Sequence, residues 1–526
     1  MSDTLENSLE KNYTKTVSME HRKQFAQFFT PKPIAQFMNE WVLGNKDLKN
    51  VLEPAMGLGI FSKELLSHKP DINIKSFEVD KNIYEIASKH FSKNKSVNII
   101  LQDYMYNDWK NKYDGIVCNP PYFKFHDYDN KNILKEMEVK LNCKLNGFTN
   151  LYTLFLLKSI HQLNPNGRLA YIVPSEFLNS DYGKLVKTHL LKTKTLRHII
   201  VVNFEENVFD DALTTASIIL CANDGITDKV KFTEVKNIND LDRIKKIIFS
   251  YPNIQKEHTY SFDELDPSVK WKFYYQKQNS SNYRNLVPFT KYAKVMRGIA
   301  TGANEYFTFN LSKAKQYSIN EKHLLPCMCK SMNVKQPFFM KSDFEKLKQQ
   351  DKDIFLLNAT NSDDSNVVKY LKLGQEQGID KRYLTASRNP WYSLENRSPA
   401  PIWVSVFNRA GLKFVRNEAN IYNLTTFHCI YPTRNNLFSH TDIDLLFAYL
   451  LTDTAKQIFV DNSREYGNGL QKFEPNDINS SKMLDISLLN KKNKNEVLEL
   501  YQEYKKTQEQ CLADMINNIL INNYKI

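Results

Sequence analysis

Seven short apolar runs alternate with helical stretches between residues 50 and 221, and that alternation leaves this chain few folds to choose from. The runs are Asn50–Glu53, Ile74–Val79, Val97–Leu101, Tyr113–Cys118, Arg168–Val173, His198–Val202 and Thr215–Cys221; the clearest helix between them is Asn150–Leu163. Strands separated by helices pair in parallel, so the pattern predicts an α/β fold with a doubly wound sheet. Only a short acidic segment, Phe204 to Asp211, separates the last two runs, which predicts an antiparallel hairpin at the sheet edge. After residue 225 the regularity ends, and mixed strands, short helices and turns follow. With 526 residues the chain exceeds one core, and a boundary near 245 divides it into domains 1–245 and 246–526. The second domain reads as mixed α+β. It ends in one long amphipathic helix over Asn495–Asn523, with Val497, Tyr501, Tyr504, Gln508, Cys511, Met515 and Ile519 at helical spacing.

The fourth run leads directly into Asn119-Pro120-Pro121-Tyr122. Consecutive prolines fix φ near −65° and cannot continue a ladder, so the chain must leave the sheet in a rigid loop. That loop presents an amide side chain, a proline carbonyl and an aromatic ring. The Asn119 oxygen and the Pro120 carbonyl are two acceptors suited to an exocyclic amino group, and the Tyr122 ring offers a stacking face for a planar base. A plain Pro-Pro turn capped by an aromatic is the simpler reading, and the other strand ends weigh against it.

The first run ends in Val51-Leu-Glu53-Pro-Ala55-Met-Gly57-Leu-Gly59, where glycines between strand and helix let the backbone pass close to a ligand. The third glycine of the dinucleotide fingerprint is missing, and Glu53 would repel a pyrophosphate while suiting a cationic ligand. The second run ends at Glu78, a carboxylate suited to both hydroxyls of a ribose. The third ends at Asp103, suited to an adenine amino group. A ribose, an adenine and a positive charge together describe S-adenosylmethionine better than NAD.

The order Gln27-Phe-Phe-Thr30-Pro31, Glu53-Pro-Ala-Met-Gly57-Leu-Gly59, Glu78, Asp103, Asn119-Pro-Pro-Tyr122 resembles the gamma-class N6-adenine DNA methyltransferases, the family of the TaqI enzyme, over residues 22–221. The resemblance implies a Rossmann-like S-adenosylmethionine-dependent methyltransferase domain followed by a C-terminal target-recognition domain. It implies cofactor contacts from Thr30 (methionine carboxylate), Glu53, Ala55, Gly57, Gly59, Glu78 (ribose), Asp103 (adenine) and Asn119. Asn119, Pro120 and Tyr122 would hold the target base, with Phe209 stacked on its other side. The implied reaction is methylation of N6 of an adenine flipped out of duplex DNA, with no covalent intermediate. Cys118 is accordingly expected in the core. Met56 departs from the small or polar residue common there and is expected to reshape the pocket wall. Amino-group methylation of rRNA or of a protein glutamine shares the Asn-Pro-Pro-Tyr motif and is the alternative. A catalytic half followed by a large basic half favours DNA.

The net charge is +12, of which +8 falls in residues 251–526, and such an excess implies a polyanionic partner. Lys381, Arg382, Arg388, Arg397, Arg409, Lys413 and Arg416 interleave with Tyr383, Trp391, Tyr392, Trp403, Phe407 and Phe414. That pattern suits double-stranded DNA, a solvated basic face over an aromatic core being the plainer reading. Gly298–Gly302 and Gly467-Asn-Gly469-Leu-Gln-Lys472-Phe-Glu-Pro475 are similar to recurring loops of such recognition domains. Seven cysteines without a Cys-x-x-Cys or Cys/His array predict reduced thiols and no metal. No apolar run approaches a membrane span and the N-terminus carries no signal peptide, so a bacterial cytoplasmic location is expected. The chain reads as the modification enzyme of a restriction–modification system or a solitary methylase. No nuclease pattern is visible; any cognate restriction endonuclease is expected to be a separate protein, and the methylase to act as a monomer.

Overall fold

In the computed structural model of this chain the described residues are 3–124, 130–147, 149–202, 215–360, 362–408, 411–433, 440–466 and 470–526. They fall into two units, the first running to Gln276 and taking in Glu465 and Tyr466, the second covering the other residues from Lys277 on.

The first unit is built on a nine-stranded sheet. Its strands are β1 (Asn50–Glu53), β2 (Asn73–Glu78), β3 (Val97–Leu101), β4 (Tyr113–Cys118), β5 (Leu163–Pro174), β6 (Leu196–Val202), β7 (Ala216–Ala222), β8 (Lys229–Val235) and β9 (Thr259–Ser261), in the order β3-β2-β1-β4-β5-β7-β6-β8-β9. The first five strands are parallel, and β7 runs antiparallel to both β5 and β6. The strand order reverses between β1 and β4, and at such a switch point a crevice opens at the carboxyl ends of the strands.

Side-chain alternation explains why the sheet is covered on both faces. Ile116 and Cys118 of β4, with Leu169, Tyr171 and Val173 of β5, join one core; Val117, Ala170 and Ile172 join the other. Among the described residues seven α-helices precede β5: α1 (Asp3–Thr16), α2 (Met19–Gln24), α3 (Lys32–Leu43), α4 (Ile60–His68), α5 (Lys81–His90), α6 (Asn130–Leu141) and α7 (Leu151–His161). Helix α7 fills the first core and α3 and α4 the second.

All seven expected strands form, and the antiparallel β6–β7 pair is present. Two further strands extend the sheet past it. This extension places the boundary at Gln276 and not near 245. Trp271, Tyr274 and Tyr275 set their rings 5.7, 5.4 and 6.3 Å from that of Phe232 in β8, so residues up to 276 complete the first unit's core.

The second unit is mixed α+β. A five-stranded sheet orders Ala293–Arg297, Phe427–Pro432, Ile402–Ser405, Phe414–Asn417 and Phe338–Phe339, and a four-stranded one Thr308–Phe309, Phe355–Leu357, Leu324–Met328 and Tyr422–Asn423. The single C-terminal helix expected from spacing is two helices, Lys491–Thr507 and Gln510–Tyr524. Gln508 closes the first in a left-handed conformation, φ +58°. The break resets the phase of the pattern: Val497, Tyr501 and Tyr504 are buried before it, Leu512, Ala513, Ile516 and Leu520 after it, while Cys511 and Met515 face solvent.

Candidate active site

The β4 strand delivers Asn119 to the crevice in a fixed attitude. Its Nδ2 donates to the Phe28 carbonyl (2.8 Å) and to Thr30 Oγ1 (3.0 Å). Both amide protons are then used, and Oδ1 is left buried with no hydrogen-bond partner. A buried acceptor in that state is costly unless a donor arrives. Thr30 is itself buried. By accepting from the Asn119 amide its hydroxyl helps set the orientation of that side chain.

Tyr122 is partly buried. Its ring lies nearly parallel to Phe28 (centroids 6.0 Å, 20°) and edge-on to Tyr152 (6.1 Å), and its hydroxyl donates to the Ile172 carbonyl (3.4 Å). Burial pushes its phenol well above the ordinary value. Cys118 is buried in the core as expected, and burial pushes its thiol up as well. Phe209 lies outside the described residues.

Beside Asn119 lies a cavity of about 350 Å3, walled by segments 25–29, 54–57, 77–83 and 102–106, by the Asn119 loop, and by Ile133 of α6 with Leu151 and Phe155 of α7. Glu78, Asp103, Ala55, Gly57 and Asn119 all line it, with Pro121 and Phe123 from the proline loop; Pro120 and Tyr122 do not. Glu78 is held through both oxygens. Oε2 accepts from the Gly57 amide (3.0 Å), and Oε1 from those of Val79 (2.8 Å) and Asp80 (2.9 Å). Burial raises its carboxyl above the usual range while these amides pull it back. Asp103 accepts from the Met105 amide (2.8 Å), and burial raises it too.

Three expectations for the glycine corner need correction. Gly57 faces the cavity with φ +55°, but Gly59 does not line it. Gly59 starts α4 with φ +82°, where a Cβ would stand 2.5 Å from the Phe91 ring, so its need is close packing. Glu53 lies beneath the corner with no exposure and takes the Ser62 hydroxyl, its Oε1 unpartnered. Burial pushes its carboxyl up to about 8, so it is largely neutral and does not offer a cofactor a charge. Met56 turns into the core and leaves the pocket wall to Ala55 and Gly57.

Asp80 carries a role that the sequence reading missed. It is buried, and it accepts from Gln27 Nε2 (2.5 Å), His21 Nε2 (2.8 Å), the Asn82 amide (2.9 Å) and the Tyr13 hydroxyl (3.4 Å). One carboxylate thus ties α1, α2 and the Gln27–Thr30 segment to the corner after β2. Because residues 25–29 form a cavity wall, the latch shapes the site directly. The residue stands two positions after Glu78, and that spacing was the available signal.

In the second unit the basic stretch separates into two groups. Arg388 donates to the Ala300 and Thr301 carbonyls, Arg397 to the Arg297 carbonyl and Glu395, and Lys413 to the Val334 carbonyl. Arg416 sits 3.6 Å from Glu418 and 3.5 Å from Asp444. These four hold the fold together; Arg388 clamps the Gly298–Gly302 loop itself and Arg397 the strand residue that leads into it. Lys381 and Arg382 are exposed, beside Tyr383, which is 87% exposed. Arg409 and the Gly467–Gly469 turn lie outside the described residues.

A doubly wound sheet with its switch point walled by a glycine corner, two acidic strand ends and an oriented acceptor amide defines a Rossmann-like methyltransferase. Residues 34–209 match the Eco57I restriction-modification methylase family, and residues 274–521 match the C-terminal domain of the type II methyltransferase M.Eco57I. The type II methyltransferase M.AccI of Acinetobacter calcoaceticus is 68% identical over 500 residues, 95% of this chain and 92% of that protein. M.XamI of Xanthomonas campestris pv. amaranthicola is 23% identical over 468 residues, 86% and 83% of the two chains. The chain belongs to the Eco57I-type family of restriction–modification DNA methyltransferases. In fold it resembles the structure of a DrdV–DNA complex, with a TM-score of 0.58 and 13% identity, over 95% of this chain and 59% of that one.

Proposed function

We propose that this DNA methyltransferase carries the methyl group of S-adenosylmethionine to N6 of an adenine rotated out of duplex DNA. The observation that carries the reading is Asn119 Oδ1, buried, unpartnered and held in place by the two bonds made by its own nitrogen. An amino group is the donor such an acceptor lacks.

The cavity beside Asn119 fits the cofactor in chemistry and size. Glu78, already anchored by three backbone amides, would take the ribose hydroxyls; Asp103 would take the adenine amino group; Gly57 would let the backbone pass close. When bound, S-adenosylmethionine supplies an electrophilic methyl group on a sulfonium. The rest belongs to the chain. Asn119 Oδ1 and the Pro120 carbonyl would accept the two N6 protons, favouring a pyramidal nitrogen whose lone pair is free to react. That is catalysis by positioning and oriented dipoles. Extruding the base costs a few kcal/mol, and stacking on Tyr122, with Phe209 as the second ring, would return roughly 1–3 kcal/mol per contact. Lys381 and Arg382 remain as candidate phosphate contacts, and the enzyme is read as a cytoplasmic monomer, either a solitary methylase or the companion of a separate endonuclease.

The test is transfer of labelled methyl from S-adenosylmethionine to duplex DNA. Asn119→Ala is expected to lower the rate at least a hundredfold while still binding duplex. An unchanged rate would remove Asn119 from the chemistry.

A further inference from the structure

The turn after β3 carries Asp103 and the cavity-lining Tyr104 and Tyr106, and it is gripped from behind by helix α7. Lys158, Ser159 and Gln162, at or just past the end of α7, have no exposure at all. Gln162 takes the Tyr104 hydroxyl and donates to the carbonyls of Asp108 and Asn111. Ser159 meets the same tyrosine hydroxyl at 3.0 Å. Lys158 goes further. Its ammonium donates to the carbonyls of Tyr104, Met105 (3.3 Å) and Asn107, three acceptors within four residues. It also stands 4.1 Å from the Tyr104 ring centroid and 4.4 Å from that of Trp109.

A lysine wholly out of water is among the most costly residues to bury, and only a full set of partners makes it tolerable. These partners are peculiar. None is a salt bridge: the nearby Asp108 is committed to Lys75 (2.6 Å) and the Tyr113 hydroxyl. Burial lowers the ammonium to about 7, with Asp108, Glu136 and Asp103 opposing that fall and Lys140 adding to it. The nitrogen's hydrogen bonds are spent on turning three carbonyls of one short turn inward, toward α7. The Met105 amide, in the same peptide unit as the Tyr104 carbonyl, points the other way and meets the Asp103 carboxylate at 2.8 Å.

We infer that Lys158 is a positioning residue for the cofactor's base: by drawing in the carbonyls of Tyr104, Met105 and Asn107, it holds Asp103 where it accepts the adenine amino group. The inference rests on the reading of Asp103 as the adenine contact. It assigns a role to a residue that does not line the cavity.

The test compares binding of S-adenosylhomocysteine with that of S-inosylhomocysteine, whose base presents an oxygen where adenine has its amino group. Wild type should prefer the adenine ligand by roughly tenfold or more, the worth of one hydrogen bond to a charged acceptor. Lys158→Met should bring that preference below about threefold, and Lys158→Gln, which keeps a donor, should fall between. Duplex affinity without cofactor, measured on each variant, reports on the fold. A purely structural lysine would weaken both ligands equally and leave the preference intact, which would overturn the inference while the Asp103 reading stands. A wild type that does not discriminate would sink the Asp103 reading itself and the inference with it. Hydrogen exchange on the wild type covers the case in which the variants do not fold. Slow exchange of the Met105 amide before any cofactor is added supports a turn held in advance, and fast exchange overturns it.

Discussion

The Asn119 amide has two ends of opposite hydrogen-bonding character, and the end left free depends on Thr30 and the Phe28 carbonyl together taking both protons of the nitrogen. Thr30→Val keeps the shape and removes one acceptor. The amide is then free to turn, and the single-turnover methyl-transfer rate is expected to fall about tenfold, the worth of one hydrogen bond. Glu53 yields a prediction of another kind. Its folded-state carboxyl is raised from 4.5 to about 8 by burial, so between those values the folded chain holds a proton that the unfolded chain has released. Its contribution is fully present below pH 4.5 and is lost as pH rises to 8, with a slope of up to about 1.4 kcal/mol per unit. Thermal melts of Glu53→Gln across pH 5 to 8 should decline less steeply than those of wild type. Parallel slopes would mean that Glu53 does not hold that proton.

The strands were legible because apolar runs of four to seven residues between helical patterns have few other uses, and β1, β3 and β4 have the bounds read from the sequence. The residues at their ends, Glu78, Asp103 and Asn119, arrive at one cavity because parallel strands place all their carboxyl ends on one edge. What stayed hidden depends on contacts distant in sequence. Asp80 is bonded by residues 53 to 67 positions earlier in the chain, and Lys158 grips carbonyls 51 to 54 positions away. The break at Gln508 was hidden because no glycine or proline marks it. In the basic stretch, charge count could not tell the structural arginines from the free ones; hydrogen bonding separates them. Lys381→Ala with Arg382→Ala should reduce the salt dependence of duplex binding by nearly two in the log–log slope, at unchanged melting temperature. Arg388→Ala with Arg397→Ala should lower the melting temperature, since the Gly298–Gly302 loop and the strand end before it lose their clamps. Equal effects from both pairs would contradict this division.

Across the whole chain, each half matches its own part of one family of restriction–modification methyltransferases, and 68% identity to M.AccI runs through both. The first unit contains a complete candidate chemical site within its own fold: acceptor amide, acidic strand ends and a cavity between them. The second unit supplies the larger share of the positive charge, fitting a chain whose substrate is a polyanion. Among the described residues no helix is long and apolar enough to cross a membrane. The most direct measurement is nucleoside mass spectrometry of duplex DNA incubated with the enzyme and S-adenosylmethionine. N6-methyladenine should accumulate with wild type and be absent with Asn119→Ala; methylation confined to cytosine, or to RNA added in competition, would contradict the assignment of the Asn119 corner to an adenine amino group.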